Sequence, residues 1–488
     1  MLGILPLLGL ISTPIDVRDF GAVGDGITMC THSIQAAIDK AAASGKGVVI
    51  IPTGTFLTGS IHLRSHIELH LDKGAVLLGS SKRKDYVKGN WYSLVIGNKL
   101  EDISITGQGT IDGQGKALAQ DVLRMVDTGE VKIPPHGWRP SELDRPQILE
   151  IQDSKRVRVE GITIKNSACW VQSYRRCLDL TIKGIKVDSK TYWNNDGIDV
   201  MDCKNVQITD CDVDAADDGI CLKSEAKGAM CEDIQIMDCR VRSSASAIKF
   251  GTASHGGFRN IEVRNIAVRD TYRSAIALES VDGGTLENIL VSDITAVNTG
   301  NAFFIRLGHR NLKAPPGKVH RVIIRDMDVQ VPIGQPDKGY PFPGPPFLEP
   351  HNLVPSCIVG HRDAAIEDVL LERIKIRFGG GGLKEIASRT VDQVPERPSD
   401  YPDFTMFGEL PAWGVYIRHA KGIKIHDLTV ALDAPDYRPA FVVDDVNGLD
   451  LDPVTVTGSD KNPIAAVRSS SQIHVSKNIK LIQSPKAH

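Results

Sequence analysis

At 488 residues the chain is long for one compact core, yet no linker divides it, so an elongated domain growing by repetition fits best. A formal charge of −3, from 57 basic against 60 acidic side chains, excludes the basic footprint of a nucleic-acid-binding protein. No internal stretch is long and apolar enough to span a membrane, and 45 glycines fit a chain full of tight turns.

In chain order, the opening MLGILPLLGLI is apolar and lacks a positive flank. Residues 1–15 therefore read either as the remnant of a secretory signal or as a buried first strand, and 16–488 as one domain. Residues 33–43 place Ile34, Ala37, Ile38 and Ala41 on one helical face. Such a helix is expected to lie across the open end of a stack of strands and cover its free backbone groups. The stretch 114–146 holds a helical-looking segment followed by Pro134, Pro135 and Pro140, and reads as a long loop.

From residue 180 one pattern returns: two apolar residues at alternate positions, two polar ones, then an apolar one. It appears as Leu180-x-Ile182-x-x-Ile185, Val206-x-Ile208-x-x-Cys211 and Ile234-x-Ile236-x-x-Cys239. It continues through Ile261, Ile289 and Val322, and returns at 369–374 and 423–428. The third apolar positions 185, 211, 239, 266 and 294 are separated by 26, 28, 27 and 28 residues. Period-2 strands this short bury a core only by stacking copies of themselves. A leucine-rich consensus and 3.6-residue periodicity are both absent, which leaves a parallel β-helix. The gaps 332–356, with Tyr340, Phe342 and Phe347, and 379–412 read as long projecting loops. Nine cysteines without CxxC spacing argue against zinc and fit small interior fillers.

A second strand type carries the chemistry. Its inward pairs are Ile198/Val200, Ile220/Leu222, Ile248/Phe250, Ile276/Leu278 and Ile305/Leu307. The residues between them form an outward column of Asp199, Cys221, Lys249, Ala277 and Arg306, and a turn column of Asp196, Asp218, Ser246 and Ser274 precedes it. With coils about 4.8 Å apart, Asp196, Asp217 and Asp218 fall together and cannot all be ionised. A protonated carboxyl beside ionised ones suits hydrolysis of a glycosidic bond. From spacing alone, solvated turn aspartates and calcium ligation stay open beside it.

The motifs Asn194-Asn195-Asp196 and Asp217-Asp218-Gly219-Ile220-Cys221-Leu222-Lys223 resemble those of the polygalacturonase family, glycoside hydrolase family 28. The segments 19–26 (DFGAVGDG) and 107–113 (GQGTIDG) and the pair Arg145-Pro146 extend the likeness over roughly 16–310. The resemblance implies a single-stranded right-handed parallel β-helix of the pectin-lyase type, all-β apart from its capping helix. It implies an inverting hydrolase with Asp217 as general acid and Asp196 and Asp218 holding the attacking water. It implies no cofactor or metal, and a pectic oligosaccharide or polysaccharide as the partner, either galacturonan or rhamnogalacturonan. No nucleic-acid or membrane partner is expected; the oligomeric state is left open and a secreted or periplasmic location is expected.

Two motifs depart from the family. Ala245-Ser246-Ala247 stands for Gly-His-Gly, and Ala277-Leu278-Glu279 for Arg-Ile-Lys, whose cations face the substrate's carboxylate. Lys223, Lys249, His255 and Glu279 are therefore the candidate substrate contacts. Arg306 and Arg175-Arg176 are further cations, and Trp170, Tyr192 and Trp193 are candidate sugar platforms. Long loops walling off one end of a cleft imply release of single units. The competing readings are a non-catalytic carbohydrate-binding β-helix and a calcium-dependent polysaccharide lyase.

Overall fold

The computed structural model describes residues 14–135, 137, 139–334, 336, 353–458 and 464–483. Its strands form a right-handed parallel β-helix. The repeating apolar position becomes one inward ladder, Leu180–Val206–Ile234–Ile261–Ile289–Val322–Val369–Ile423–Leu449, each residue paired with the same position one coil on. All are buried. A second ladder, Cys239–Ile266–Ile294–Met327–Ile374–Leu428, carries the third apolar position.

The polar residues that flank those positions are corners. Asn205, Asp233, Asn260 and Asn288 all take φ of 55–57°, the left-handed conformation that Asn and Asp tolerate best among side-chain-bearing residues. Their side chains hydrogen-bond from coil to coil, Asn260 to Asp233 at 3.0 Å and Asn288 to Asn260 at 2.9 Å. All nine cysteines are buried and unpaired, as interior fillers should be.

The helix Thr31–Ala43 buries Ile34, Ala37, Ile38 and Ala41, the face expected from the sequence. Gln35 on that helix accepts from the His62 N–H at 2.8 Å and donates to its carbonyl at 3.0 Å, so the helix satisfies a strand edge as well as covering apolar surface. A second helix, Gly115–Asp127, lies in the first wide gap. Among the described residues no helix is long and apolar enough to cross a membrane. Ile15–Asp16 pairs with Val49 and Ile50, while residues 1–13 lie outside the described residues, as do Tyr340, Phe342 and Phe347.

One expected register is corrected. Ile276 and Leu278 pair with Phe303 and Ile305, not with Ile305 and Leu307. The pairing shifts between Thr271 and Ser274, where three steps on one coil meet two on the next, from Thr299 to Asn301. The unbroken apolar run 302–305 hides that slip from any reading of alternation. Phe304 therefore occupies the outward column, and Arg306 stands opposite Glu279.

From Lys249 this column continues Ala277–Phe304–Cys357–Tyr416–Val442–Ala466, six coil steps. The third wide gap is folded down along it. Val391, Val394, Phe404, Phe407, Leu410 and Ala412 pack on Phe304, Cys357, Tyr416 and Val442, a second apolar cluster outside the solenoid. Arg468 pairs with Asp392. Arg418 binds Glu396 at 2.5 Å and the Val394 carbonyl at 3.0 Å, and Arg306 donates to the carbonyls of Glu396 and Arg397 at 3.1 and 2.9 Å. Arg306 is thus an anchor for this segment and not a free cation.

Candidate active site

Asp196 and Asp218 occupy equivalent turns on adjacent coils. The Gly197 N–H bonds the Asp218 carbonyl and the Gly219 N–H bonds the Ser246 carbonyl, both at 2.9 Å. Glycine follows each aspartate because the coils touch there: a Cβ on Gly197 would lie 2.6 Å from the Gly219 oxygen, and one on Gly219 2.6 Å from the Ala247 oxygen.

Arg145, fully buried, organises the flank of this turn. Its guanidinium donates to the carbonyls of Ala168 at 3.1 Å and Trp193 at 2.6 Å and to Asn194 Oδ1 at 2.7 Å. Asn194 Nδ2 in turn donates to Asp217 Oδ2 at 3.3 Å, and the Asp218 N–H to Asp217 Oδ1 at 3.0 Å. Asn195 faces away from the carboxylates and holds the turn, donating to the Ser167 and Cys169 carbonyls at 3.1 and 2.9 Å.

Lysines interleave with the carboxylates. Lys223 Nζ donates to Asp196 Oδ2 at 3.1 Å and to Asp199 Oδ1, and lies 4.0 Å from the centre of the Trp170 ring. Lys249 Nζ donates to Asp218 Oδ2 at 2.9 Å and to Tyr401 Oη at 2.8 Å. Arg273 pairs with Asp403 at 2.9 Å. Trp170 stacks on Trp91 with centroids 4.6 Å apart, so a tryptophan pair borders the side of Lys223. Among the described residues no group of three or more His, Cys, Asp or Glu is arranged to hold a metal ion.

The carboxyls separate electrostatically. Burial, then the charge of Asp199, holds Asp196 well above the usual aspartate value, and burial raises Asp199 to about 6 against the pull of Lys223. Burial and then the neighbouring Asp218 raise Asp217, which keeps a partly exposed side chain. Asp218 moves the other way: burial opposes its charge, but Lys249, Arg273 and Lys223 together bring it below the ordinary value. Two adjacent acids are thus pushed in opposite directions, the pattern that sets a proton donor apart from a proton acceptor.

The three aspartates expected from the sequence therefore meet, joined by Lys223 and Lys249, whose ammoniums pair with them. Glu279 lies beside Gly251, buried, and burial pushes it up to about 8 despite Lys249. His255 sits in the turn after Ile248–Ser254, its N–H on the Ser224 carbonyl at 2.8 Å; no hydrogen bond or ion pair to the aspartates is seen among the described residues. Arg175 pairs with Glu225, and Arg176 forms a two-pronged pair with Asp153 at 2.6 and 2.9 Å on an outer corner. Tyr192 and Trp193 pack edge to face, with Arg145 over the Tyr192 ring.

Asp199, Arg273, Tyr401 and Asp403 complete the site, although sequence reasoning does not single them out. Asp199 stands in the outward column and is legible there; the other three carry no repeat signal.

Glu279 yields a stability prediction. Its folded-state value of about 8 exceeds the ordinary 4.5, so the folded form binds the proton more tightly and stability falls as pH rises between those values. Glu279→Gln has no charge to bury. Its melting temperature is expected to match the parent's near pH 4 and to exceed it increasingly toward about pH 8 to 9; a pH-independent difference would refute the assignment.

Known proteins bear on the same residues. The sequence profile of glycosyl hydrolases family 28 matches residues 43–307. A probable polygalacturonase of Vitis vinifera is 28% identical over 310 residues, covering 59% of this chain and 56% of that protein. The chain thus spans little more than half the length of this relative. Among solved structures, an exopolygalacturonase from Thermotoga maritima superposes with a TM-score of 0.59 at 24% identity, covering 75% of this chain and 87% of that one. A family 28 exopolygalacturonase of Yersinia enterocolitica gives 0.62 at 18%, covering 96% and 78%. These two likenesses show a shared fold, whereas the profile spans the aspartate motifs and more than half of the sequence. The chain belongs to glycosyl hydrolases family 28.

Proposed function

We propose that this protein hydrolyses a glycosidic bond in a pectin-type polysaccharide, inverting the anomeric centre and releasing units from a chain end. The observation that carries the reading is the pair of adjacent carboxyls on one turn of the coil, Asp217 held by Asn194 and the Asp218 N–H and Asp218 paired with the Lys249 ammonium, an arrangement that raises the first and lowers the second. Asp217, protonated, gives its proton to the departing glycosidic oxygen. Asp218 takes a proton from water as that water attacks the anomeric carbon from the opposite face. Asp196 and Asp199, sharing Lys223, shape the electrostatics beside the water. The names of the grape, Thermotoga and Yersinia proteins support pectin as the substrate class.

Action at a chain end is supported by the segment folded along the outward column. It brings Tyr401 onto Lys249 and Asp403 onto Arg273, one and two coils beyond Asp218, which walls the cleft on that side. A calcium-dependent lyase is disfavoured because the Lys223 ammonium already stands between Asp196 and Asp199, where a cation would bind. Ala277 and Glu279 leave no cation at two positions that face an acidic sugar in relatives, which favours rhamnogalacturonan over polygalacturonan.

Incubation with each polymer tests the reading. New reducing ends, short products from the outset and an inverted anomer by proton NMR are expected, with the higher kcat/KM on rhamnogalacturonan. Absence of reducing ends from both polymers would refute hydrolysis, and long early intermediates would refute end-wise attack.

A further inference from the structure

We propose that Lys249 is a positioning residue for this hydrolysis: its ammonium, clamped between Asp218 and Tyr401, orients the Asp218 carboxylate toward the attacking water. The inference rests on the hydrolytic reading above and assigns Lys249 a role other than holding substrate.

The geometry begins in the register. Lys249 lies one coil beyond Cys221, three residues past Asp218, so its stem must run back across the outward face to reach the turn. The small Cys221 side chain beside it leaves that path open. The lysine is 2% exposed, and a buried ammonium persists only with acceptors at hand. It has Asp218 Oδ2 at 2.9 Å and Tyr401 Oη at 2.8 Å, with the Tyr401 ring centre at 5.1 Å.

The other Asp218 oxygen, Oδ1, accepts the Ser246 N–H at 3.2 Å. Both oxygens are thus fixed from the next coil, and the carboxylate has one orientation. Ser246 stands where the family motif carries histidine, so a backbone N–H and a lysine from the following strand hold this carboxylate. Two of the three N–H groups of the ammonium are committed to Asp218 and Tyr401, so its contacts in the free protein are those of a positioning group.

The surroundings make the lysine matter. Asp218 faces Asp217 on its own turn, Lys223 on its own coil, Asp196 and Asp199 on the preceding coil, Arg273 with Asp403, Glu279 beyond Gly251, and Tyr401 from the covering segment. Among the cations that lower Asp218, Lys249 has the largest effect.

The test uses the full chain on whichever polymer the parent cleaves, with kcat and KM followed across pH. Lys249→Met is expected to lower kcat by about 100-fold with KM changed less than about threefold, and to move the acid limb of kcat/KM up by about one pH unit or more. Lys249→Arg, which keeps the charge, should return the limb most of the way. A loss confined to KM, or an unmoved limb, would overturn the proposal.

Should Lys249→Met fail to fold, Tyr401→Phe carries the test, because Tyr401 is 51% exposed and its ring is retained. It should lower kcat by about three- to tenfold at constant KM, and an unchanged kcat would overturn the clamp. If the parent itself cleaves neither polymer, the hydrolytic reading fails. An active parent with an unaltered Lys249→Met profile removes only the role of Lys249.

Discussion

Replacing Asp217 by asparagine should lower kcat by about 10²- to 10⁴-fold, the usual worth of a general acid, with little change in melting temperature. The side chain keeps its shape, and its oxygen still accepts the Asp218 N–H at 3.0 Å. What it loses is the capacity to hold and give up a proton, which burial and the neighbouring Asp218 favour by raising this carboxyl. A synthetic glycoside with a nitrophenolate leaving group needs no protonation on departure. The variant should therefore recover much of its deficit on that substrate while remaining poor on the polymer. Equal activity of parent and variant on polymer would remove Asp217 from the mechanism. An equal deficit on both substrates would assign it a role other than acid.

Lys223→Met carries the largest expected effect on stability. The ammonium lies between Asp196 Oδ2 and Asp199 Oδ1, both carboxylates buried, and each has a second oxygen without a partner among the described residues. Removing one member of a buried charge cluster costs about 3–5 kcal/mol, because the ions left behind can neither pair nor reach water. Both aspartates already hold protons more tightly than in an unfolded chain, Asp199 to about 6, and without the lysine they hold them more tightly still. Stability lost through them accrues as pH rises through the ordinary value and is recovered in acid. The urea midpoint of the variant should thus lie far below the parent's near pH 8 and approach it near pH 4. Adding Asp199→Asn to Lys223→Met should restore part of the difference at the higher pH. A deficit that does not vary with pH would mean the methionine disturbs packing against Trp170 rather than charge.

Much of the fold and site is legible in the sequence because a solenoid converts spacing into contact. The 22 residues from Asp196 to Asp218 make one coil, and the ladder from Leu180 to Leu449 follows from simple alternation. Polar residues flanking the apolar positions become the corners, and the face of the first helix is fully written in Ile34, Ala37, Ile38 and Ala41. The failures share a physical origin. Alternation misplaces Arg306 because pairing slips between Thr271 and Ser274 while residues 302–305 are all apolar, leaving nothing to mark the slip. Tyr401 reaches Lys249 across 152 residues of sequence, through a segment whose path is set by packing on Phe304 and Tyr416 and not by any repeat. Lys223 and Lys249 are visible in their column, but whether a long cation faces a sugar or turns back onto an aspartate depends on its side-chain torsions.

A stack of coils ordinarily behaves as a one-dimensional array in which each unit senses only the next, so such arrays can melt progressively from an end. The segment pinned by Arg468 to Asp392 at one extreme and by Lys249 to Tyr401 at the other bridges six coil steps, roughly 29 Å at the usual strand spacing. It ties together units that never touch, much as a splint spans a row of vertebrae. Fraying of the distal coils is thereby coupled to the aspartates of the candidate site, and loss of activity on heating should coincide with melting of that whole half of the molecule.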